Sequence, residues 1–251
     1  MRGARWLAVA AGLVVAATAA GCGSGSSPGT ADIVATPGTT VSASSGGAHI
    51  VGLPLGTART STLDIQSGVT AVEVTTANLP SQLVTAVTPA DSGVQPSLTT
   101  DSNGIIHVLL PHASGGGRVS RLVVVLNRAV TWSIFLDGGA STERVNLRGA
   151  TINVVDLGAG VSSARITFPR PTGTDLLRMT GGASQLAIDV PRGFPTRVRV
   201  KGGASSVRIG PIRHTGIGPV ATFNSKGYRK ASRRIDLEIE AGVSALSVQP
   251  Y

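Results

Sequence analysis

The sequence predicts an all-β protein built as a stack of strand-turn-strand repeats of about 21 residues. Three observations support this prediction: five segments of similar sequence, an alternation of apolar and polar residues within them, and glycine pairs between their strands. Because successive side chains of a strand point to opposite faces, this alternation places every second residue in a core. The 33 glycines also disfavour a helical bundle, since glycine destabilises helix interiors.

Each repeat consists of an apolar strand, a small-residue turn, a serine and a second apolar strand. The five repeats read LDGGASTERVNL, LGAGVSSARITF, MTGGASQLAIDV, VKGGASSVRIGP and IEAGVSALSVQP. Their aligned serines, spaced by 21, 22, 21 and 39 residues, are Ser141, Ser162, Ser184, Ser205 and Ser244. The long last interval indicates an insertion at about residues 211–233, and the segment LDIQSGVTAVEV is a further copy with Thr70 at the serine position.

Alignment of the repeats gives apolar columns seven and five residues before the serine and four residues after it. We expect these columns to face the core and the polar columns between them to face water. The apolar members are Ile134, Val155, Leu177, Val198 and Leu237; Leu136, Leu157, Met179, Val200 and Ile239; and Val145, Ile166, Ile188, Ile209 and Val248. One repeat is too small to fold alone, so neighbouring repeats must stack.

Two polar rows of opposite charge occupy matching columns of the last two repeats. They are Arg197, Arg199 and Lys201 in one repeat and Asp236, Glu238 and Glu240 in the other. If the insertion loops out, the two rows lie on neighbouring strands and form a ladder of ion pairs, which we interpret as structural.

Two architectures accommodate these strands. In a flattened β-solenoid each repeat forms one coil, whereas in an antiparallel β-sandwich or meander the GGAS segments are hairpin turns. The constancy of each column favours the solenoid. We predict one domain at residues 49–251, with an irregular part at 49–131 that contains several strand-like runs and regular repeats at 132–251.

Residues 1–21 have the composition of a signal peptide. Two arginines precede an apolar run at residues 6–20, which is shorter than the ~20 residues of a membrane-spanning helix. The segment AAGC that ends at Cys22 resembles the bacterial lipobox, which implies cleavage before this cysteine and a diacylglycerol on its sulfur. Residues 22–48 are then the lipidated cysteine and a flexible Ser/Gly/Thr/Pro tether. We therefore expect an extracytoplasmic protein anchored to the cell membrane.

The GGAS-type repeats behind a lipobox resemble the bacterial "putative adhesin" β-repeat families. They are also similar to the C-terminal repeat region of cell-wall-active antibiotic response proteins. The resemblance covers roughly residues 60–251, and the Ala/Val/Gly/Arg-rich composition further resembles exported actinobacterial proteins. It implies an all-β fold and an envelope location, and it supplies no catalytic residue.

The net charge of +9 is unevenly distributed along the chain. Residues 118–251 hold 19 basic and 8 acidic side chains, and the densest basic cluster lies in or beside the predicted insertion. Its members are Lys226, Arg229, Lys230, Arg233 and Arg234. Such a cluster can bind anionic lipid head groups, a wall polymer or an envelope protein, or it can be a solvated loop that keeps the domain soluble. Nucleic acid is not an expected partner of an exported lipoprotein.

The sequence contains no recognisable catalytic constellation. The recurring serines suit turns, and His214 is the one histidine near the C-terminal repeats. A single cysteine and scattered histidines predict no metal site, and no motif predicts a cofactor. Our leading expectation is a non-enzymatic, lipid-anchored envelope protein that serves as an adhesin or scaffold. A carrier of lipid or glycolipid is the alternative, and a hydrolase comes third.

Overall fold

Two mixed β-sheets that face each other across an apolar core make up nearly all of the described chain. The structure, a computed structural model, describes residues 41–45, 48–90, 92, 94–111 and 120–251, the first of these segments as backbone alone. The predicted signal peptide, Cys22 and most of the predicted tether lie outside the described residues.

The described strands are numbered along the chain. They are β1 Val41–Ser45, β2 Ala48–Pro54, β3 Thr60–Ile65, β4 Val69–Ala77, β5 Gln82–Thr88, β6 Ser97–Thr100, β7 Ile105–Leu109, β8 Arg121–Asn127, β9 Thr131–Leu136, β10 Ala140–Asn146, β11 Thr151–Leu157, β12 Val161–Thr167, β13 Thr174–Met179, β14 Ala183–Val190, β15 Thr196–Val200, β16 Ala204–Ile209, β17 Ile212–Ile217, β18 Ala221–Asn224, β19 Arg234–Ile239 and β20 Val243–Pro250. One 3-10 turn, Tyr228–Lys230, lies between β18 and β19.

Spatial order in the sheets shows that the repeats form coils. Sheet A runs β1-β2-β5-β8-β4-β10-β12-β14-β20-β16-β17, and sheet B runs β18-β15-β19-β13-β11-β9-β3-β7-β6. Each repeat contributes its first strand to sheet B and its second to sheet A, and equivalent strands of neighbouring repeats pair in parallel. The GGAS segments therefore carry the chain from one sheet to the other and are not hairpin turns. This arrangement confirms the predicted all-β, solenoid-like stack.

Antiparallel strands flank the stack of coils at both ends. β5 and β6 flank the coil formed by β7 and β8, which the repeat alignment did not include. β17 and β18 flank the coil formed by β15 and β16, so the predicted insertion forms strands rather than a simple loop. Sheet A extends back to β1, inside the segment that was predicted as tether.

The last repeat does not lie at the end of the stack. Strands β19 and β20 pair on one side with β13 and β14, and on the other side with β15 and β16. The coil formed by β19 and β20 is thus inserted between the coil of β13 and β14 and the coil of β15 and β16. These two coils follow each other directly in the sequence.

Charge explains this order in sheet B. In the column six residues before the serine, the stack presents Asp156, Arg178, Glu238 and Arg199 on successive strands. Without the inserted strand, Arg178 and Arg199 would face each other, and like charges on directly opposite residues are destabilising. Glu238 instead accepts a hydrogen bond from Arg199 at 3.0 Å, which confirms the predicted ladder. Lys201 completes the ladder with Glu240 at 2.8 Å.

Backbone spacing at the turns imposes the same order. In the column three residues before the serine, the stack alternates between a residue with a Cβ atom and a glycine. The spatial order is Ser67, Gly138, Ala159, Gly181, Ala241 and Gly202. A Cβ atom on any of the three glycines would overlap the backbone of the residue in the neighbouring coil that stands before it in this spatial order. A side chain therefore fits at this position only in every second coil.

The predicted apolar columns fill the space between the sheets. All fifteen members except Ile209, which is half-buried, are buried. Two carboxylic acids interrupt this core: Glu143 and Asp175 are each 1% exposed, and each has an oxygen without a hydrogen-bond partner among the described residues. Glu143 lies opposite Val72 and Ala164 in an inward-facing column. Burial raises the pKa of each carboxyl to about 7.

The close approach of the turns predicts that alanine substitutions at two adjacent glycines destabilise the protein to different extents. We expect Gly181→Ala to lower the free energy of unfolding by about 2–3 kcal/mol, because its Cβ atom would overlap the backbone at Ala159. Gly182→Ala is the matched control, since the nearest atom to its Cβ would be an ordinary 3.6 Å away. Urea denaturation of both variants measures the difference, and equal losses would contradict the packing argument.

The two buried acids predict that stability falls as the pH rises. Because their pKa values are raised to about 7 in the folded state, folding favours the protonated form. The stabilisation is complete below the ordinary pKa of an unfolded carboxyl, near 4, and is lost as the pH rises through 7, by about 3 kcal/mol for each group. The double variant Glu143→Gln/Asp175→Asn should lack most of this loss in denaturation curves recorded from pH 4 to pH 8. Glu73→Gln is the control, because it removes a half-buried surface carboxyl that is paired with Arg121. An unchanged slope in the double variant would refute the assignment.

Candidate functional site

The basic cluster predicted from the sequence lies on the loop between β18 and β19, and Tyr228 fixes this loop to sheet B. The Tyr228 hydroxyl lies 2.6 Å from both carboxylate oxygens of Asp236. Arg197 donates two further hydrogen bonds to the same carboxylate, at 2.6 and 2.9 Å, and its guanidinium lies 4.9 Å from the Tyr228 ring centre. Burial, together with the hydrogen bond to Asp236, raises the pKa of Tyr228 and keeps the phenol protonated.

The five predicted basic residues divide into two groups. Arg234 is half-buried, lies 5.2 Å from the centre of the Tyr228 ring and donates to the carbonyl of Ala231. Arg233 lies 5.8 Å from the centre of the Phe194 ring. These two arginines hold the loop in place. The other three side chains are exposed and form no ion pair with any described residue. They are Lys226, Arg229 and Lys230.

An apolar cleft of about 530 Å³ adjoins this loop. It opens between the two sheets at the last layer of the stack, where β17 and β18 present His214 and Phe223 with ring centres 4.8 Å apart. Asn224 and Ser225, at the start of the basic loop, form part of its wall. At this end the apolar columns of the repeats therefore border an open cleft. The remainder of the apolar columns is packed as expected.

Arginines also occupy the outer face of sheet A. Arg144 lies opposite Arg165, and Arg208 lies opposite Arg213. Arg165 is neutralised by Asp189 at 2.9 Å, whereas the other three arginines are exposed and form no ion pair with a described residue. This face is a second basic surface, separate from the loop.

The residues considered for catalysis do not come together in the described structure. The recurring serines are exposed at the turns, and none of them is hydrogen-bonded to His214, which packs against Phe223. Within the described ranges, no group of three or more His, Cys, Asp or Glu side chains is arranged to hold a metal ion. No helix in these ranges has the length and hydropathy required to cross a membrane.

Sequence reasoning missed a polar network at the other end of the stack. His107 lies 3.1 Å from Asp64 through Nδ1 and 3.4 Å from Asp101 through Nε2, and Gln66 donates to Asp64 at 2.7 Å. The backbone N–H groups of Asn103 and Ile105 hold the Asp101 carboxylate and, with His107, lower its pKa. Gln66 and Asp101 lie outside the strands, and His107 lies on β7, whose pairing with β3 was not anticipated, so the repeat pattern gave no signal for the network.

Comparison with known proteins relates the fold to solved structures. No protein-family model matches this chain, and no curated protein matches it significantly. The fold is similar to that of a "putative cell adhesion protein" from Clostridium sporogenes ATCC 15579, with a TM-score of 0.62. The two sequences are 15% identical, and the similarity covers 81% of this chain and 99% of the other. At this identity the similarity shows a shared fold. The lipobox, the anchor and the actinobacterial origin remain predictions.

The Tyr228 contact predicts that Tyr228→Phe loosens the basic loop. Loss of the hydroxyl removes a hydrogen bond to a charged partner, which should lower stability by about 1–3 kcal/mol. Trypsin should then cleave faster after Lys226, Arg229 and Lys230, as followed by mass spectrometry. Tyr251→Phe is the control, because it removes one tyrosine hydrogen bond, to the Phe168 carbonyl, elsewhere in the fold. Equal loop cleavage in both variants would contradict the proposed anchoring.

Proposed function

We propose that this protein is a non-enzymatic, lipid-anchored module of the cell envelope, an adhesin or scaffold that binds an anionic partner. The signal-peptide composition of residues 1–21 and the lipobox at Cys22 support the anchor. The shared fold with a protein named for cell adhesion supports the adhesin-like part of the proposal.

One observation carries the binding proposal: three exposed cations lie on a loop that the rest of the fold holds in place. The 3-10 turn that begins at buried Tyr228 contains Arg229 and Lys230, and Lys226 lies just before it. Because Tyr228 and Arg234 already order this loop, a partner would not have to supply that ordering free energy. Fixed cations without nearby anions attract phosphate or carboxylate groups of a partner.

The placement of the candidate catalytic groups disfavours an enzyme. The repeated serines occupy equivalent turn positions in successive coils, where a small polar residue suits the backbone. A serine nucleophile would need a base within hydrogen-bond reach, and His214 packs on Phe223 instead.

The second candidate function is a carrier of lipid or glycolipid. One observation favours it, namely the apolar cleft beside the basic loop. The two functions are compatible if the cleft and the loop bind different parts of one ligand.

The proposal predicts that the loop binds anionic membranes. In the predicted mature chain, which begins at residue 22 and carries Cys22→Ser, we expect Lys226→Gln/Arg229→Gln/Lys230→Gln to weaken binding to phosphatidylglycerol vesicles about a hundredfold. This follows from about 1 kcal/mol for each basic residue near an anionic surface. Arg233 and Arg234 are left intact because they contact Phe194 and Tyr228. Vesicle co-sedimentation at low and high salt measures the affinity.

A matched control changes three exposed arginines far from the loop along the stack, Arg59→Gln/Arg128→Gln/Arg144→Gln. It removes the same charge from the protein, and its affinity should fall much less than that of the loop variant. An unchanged affinity of the loop variant, or binding that high salt does not weaken, would refute the proposed role of the loop.

A further inference from the structure

The cleft is an exception in an otherwise filled interior. Protein interiors are packed about as densely as organic crystals, so an opening of about 530 Å³ needs a structural cause. Here the cause is the last layer of the stack, where no further coil covers the inward side chains. Val198, Ile209 and Val248 of the apolar columns form part of its wall, and Gly193 and Gly210 contribute no side chain.

The wall is predominantly apolar and leaves hydrophobic surface in contact with water. Ile212 at the edge of the cleft is 59% exposed, although it lies opposite Ile209 on the inward-facing side of its strand. Phe194 and Phe223 add aromatic surface. Ligand pockets typically measure about 300–1,000 Å³ and have such a lining with a few polar groups.

The few polar residues that line the cleft include a basic side chain and lead to the basic loop. Arg192 lines the cleft, and Asn224 and Ser225 connect it to the loop that carries Lys226. Arg233 lies over Phe194, one of the lining residues. No aspartate or glutamate lines the cleft, and the Arg192 side chain forms no ion pair with a described residue, although its backbone N–H donates to an oxygen of Tyr251 at 3.2 Å. A ligand that fits both features has a hydrocarbon part and an anionic group.

We propose that the cleft binds a single-chain amphiphile with an anionic head group, its chain between the sheets and its head group at Arg192 and the basic loop. The location of the head group rests on the proposed function of that loop. The volume of the cleft lies within the range of pockets that bind one small ligand, about 300–1,000 Å³, which favours a single chain. A free fatty acid and a lysophospholipid share this chemistry.

Fluorescence of dansyl-undecanoic acid tests the proposal on the predicted mature chain, which begins at residue 22 and carries Cys22→Ser, at probe concentrations below micelle formation. We expect saturable binding that lysophosphatidylglycerol and a fatty acid displace. Lysophosphatidylcholine, which has the same chain and no net charge, should displace the probe less well by about tenfold, and Arg192→Gln should reduce this preference. Glycerol phosphate, which has a head group and no chain, should not displace the probe.

Two exposed residues supply a matched pair of variants. Ile212→Asp places an anion on the apolar edge of the cleft and should weaken probe binding at least about tenfold. Val220→Asp changes an apolar residue that is 79% exposed and does not line the cleft, so it should leave binding within about twofold. Ile209→Trp, which fills the cleft, is a second variant, and thermal melting confirms that each variant is folded.

The outcomes separate this proposal from the function proposed for the loop. Probe binding that Ile212→Asp and Ile209→Trp leave unchanged would overturn the cleft assignment. The cleft assignment would also be overturned if the monomeric probe did not bind at all. If vesicle binding still depended on the loop cations in that case, the loop proposal would stand. If lysophosphatidylcholine displaced the probe as strongly as lysophosphatidylglycerol does, the proposed preference for an anionic head group would be overturned.

Discussion

The close approach of backbones at the glycine turns determines how this chain folds. Where each coil crosses from sheet B to sheet A, its turn lies directly on the turn of its neighbour, and the space between them admits a Cβ atom on one side only. Gly138, Gly181 and Gly202 therefore alternate in space with residues that have side chains. The parallel hydrogen bonding of both sheets depends on this spacing, and so does the packing of the apolar columns that separate them. The recurring glycines and serines are thus required by the architecture before any function is considered.

The order of the coils follows from two independent properties of the sequence. If the repeats were stacked in chain order, Gly181 and Gly202 would be adjacent, and Arg178 would face Arg199. Insertion of the last repeat restores both alternations. It brings Ala241 between the two glycines and Glu238 between the two arginines. Agreement between local packing and electrostatics in selecting one arrangement is characteristic of sequences with a single folded state.

Much of the fold could be predicted because a period of two, repeated over many strands, places the same columns inside each coil. The prediction was incomplete where that regularity ends. Alignment in chain order could not reveal the inserted repeat, although the glycine and charge alternation contained the signal. Glu143 was not anticipated as a buried acid, because a single polar residue in an apolar column does not alter the periodicity. Of the candidate site, the exposed cations of the loop followed from composition. The anchoring by Tyr228 depends on contacts with Asp236 and Arg197, and the cleft depends on how the end strands close the stack.

The position of β19 and β20 has a consequence for how the molecule reaches its native state. A chain that folds as it emerges from its point of synthesis or export can pair β9 with β11 and then β11 with β13. It cannot complete the contacts of β15 and β16 until residues 234–250 have appeared. These contacts are separated by about 39 positions along the chain, as in the pairing of Arg197 with Asp236. Assembly from one end of the stack to the other is therefore interrupted after β13 and β14 and resumes only when β19 and β20 can pair with them, so the order of folding differs from the order of the sequence.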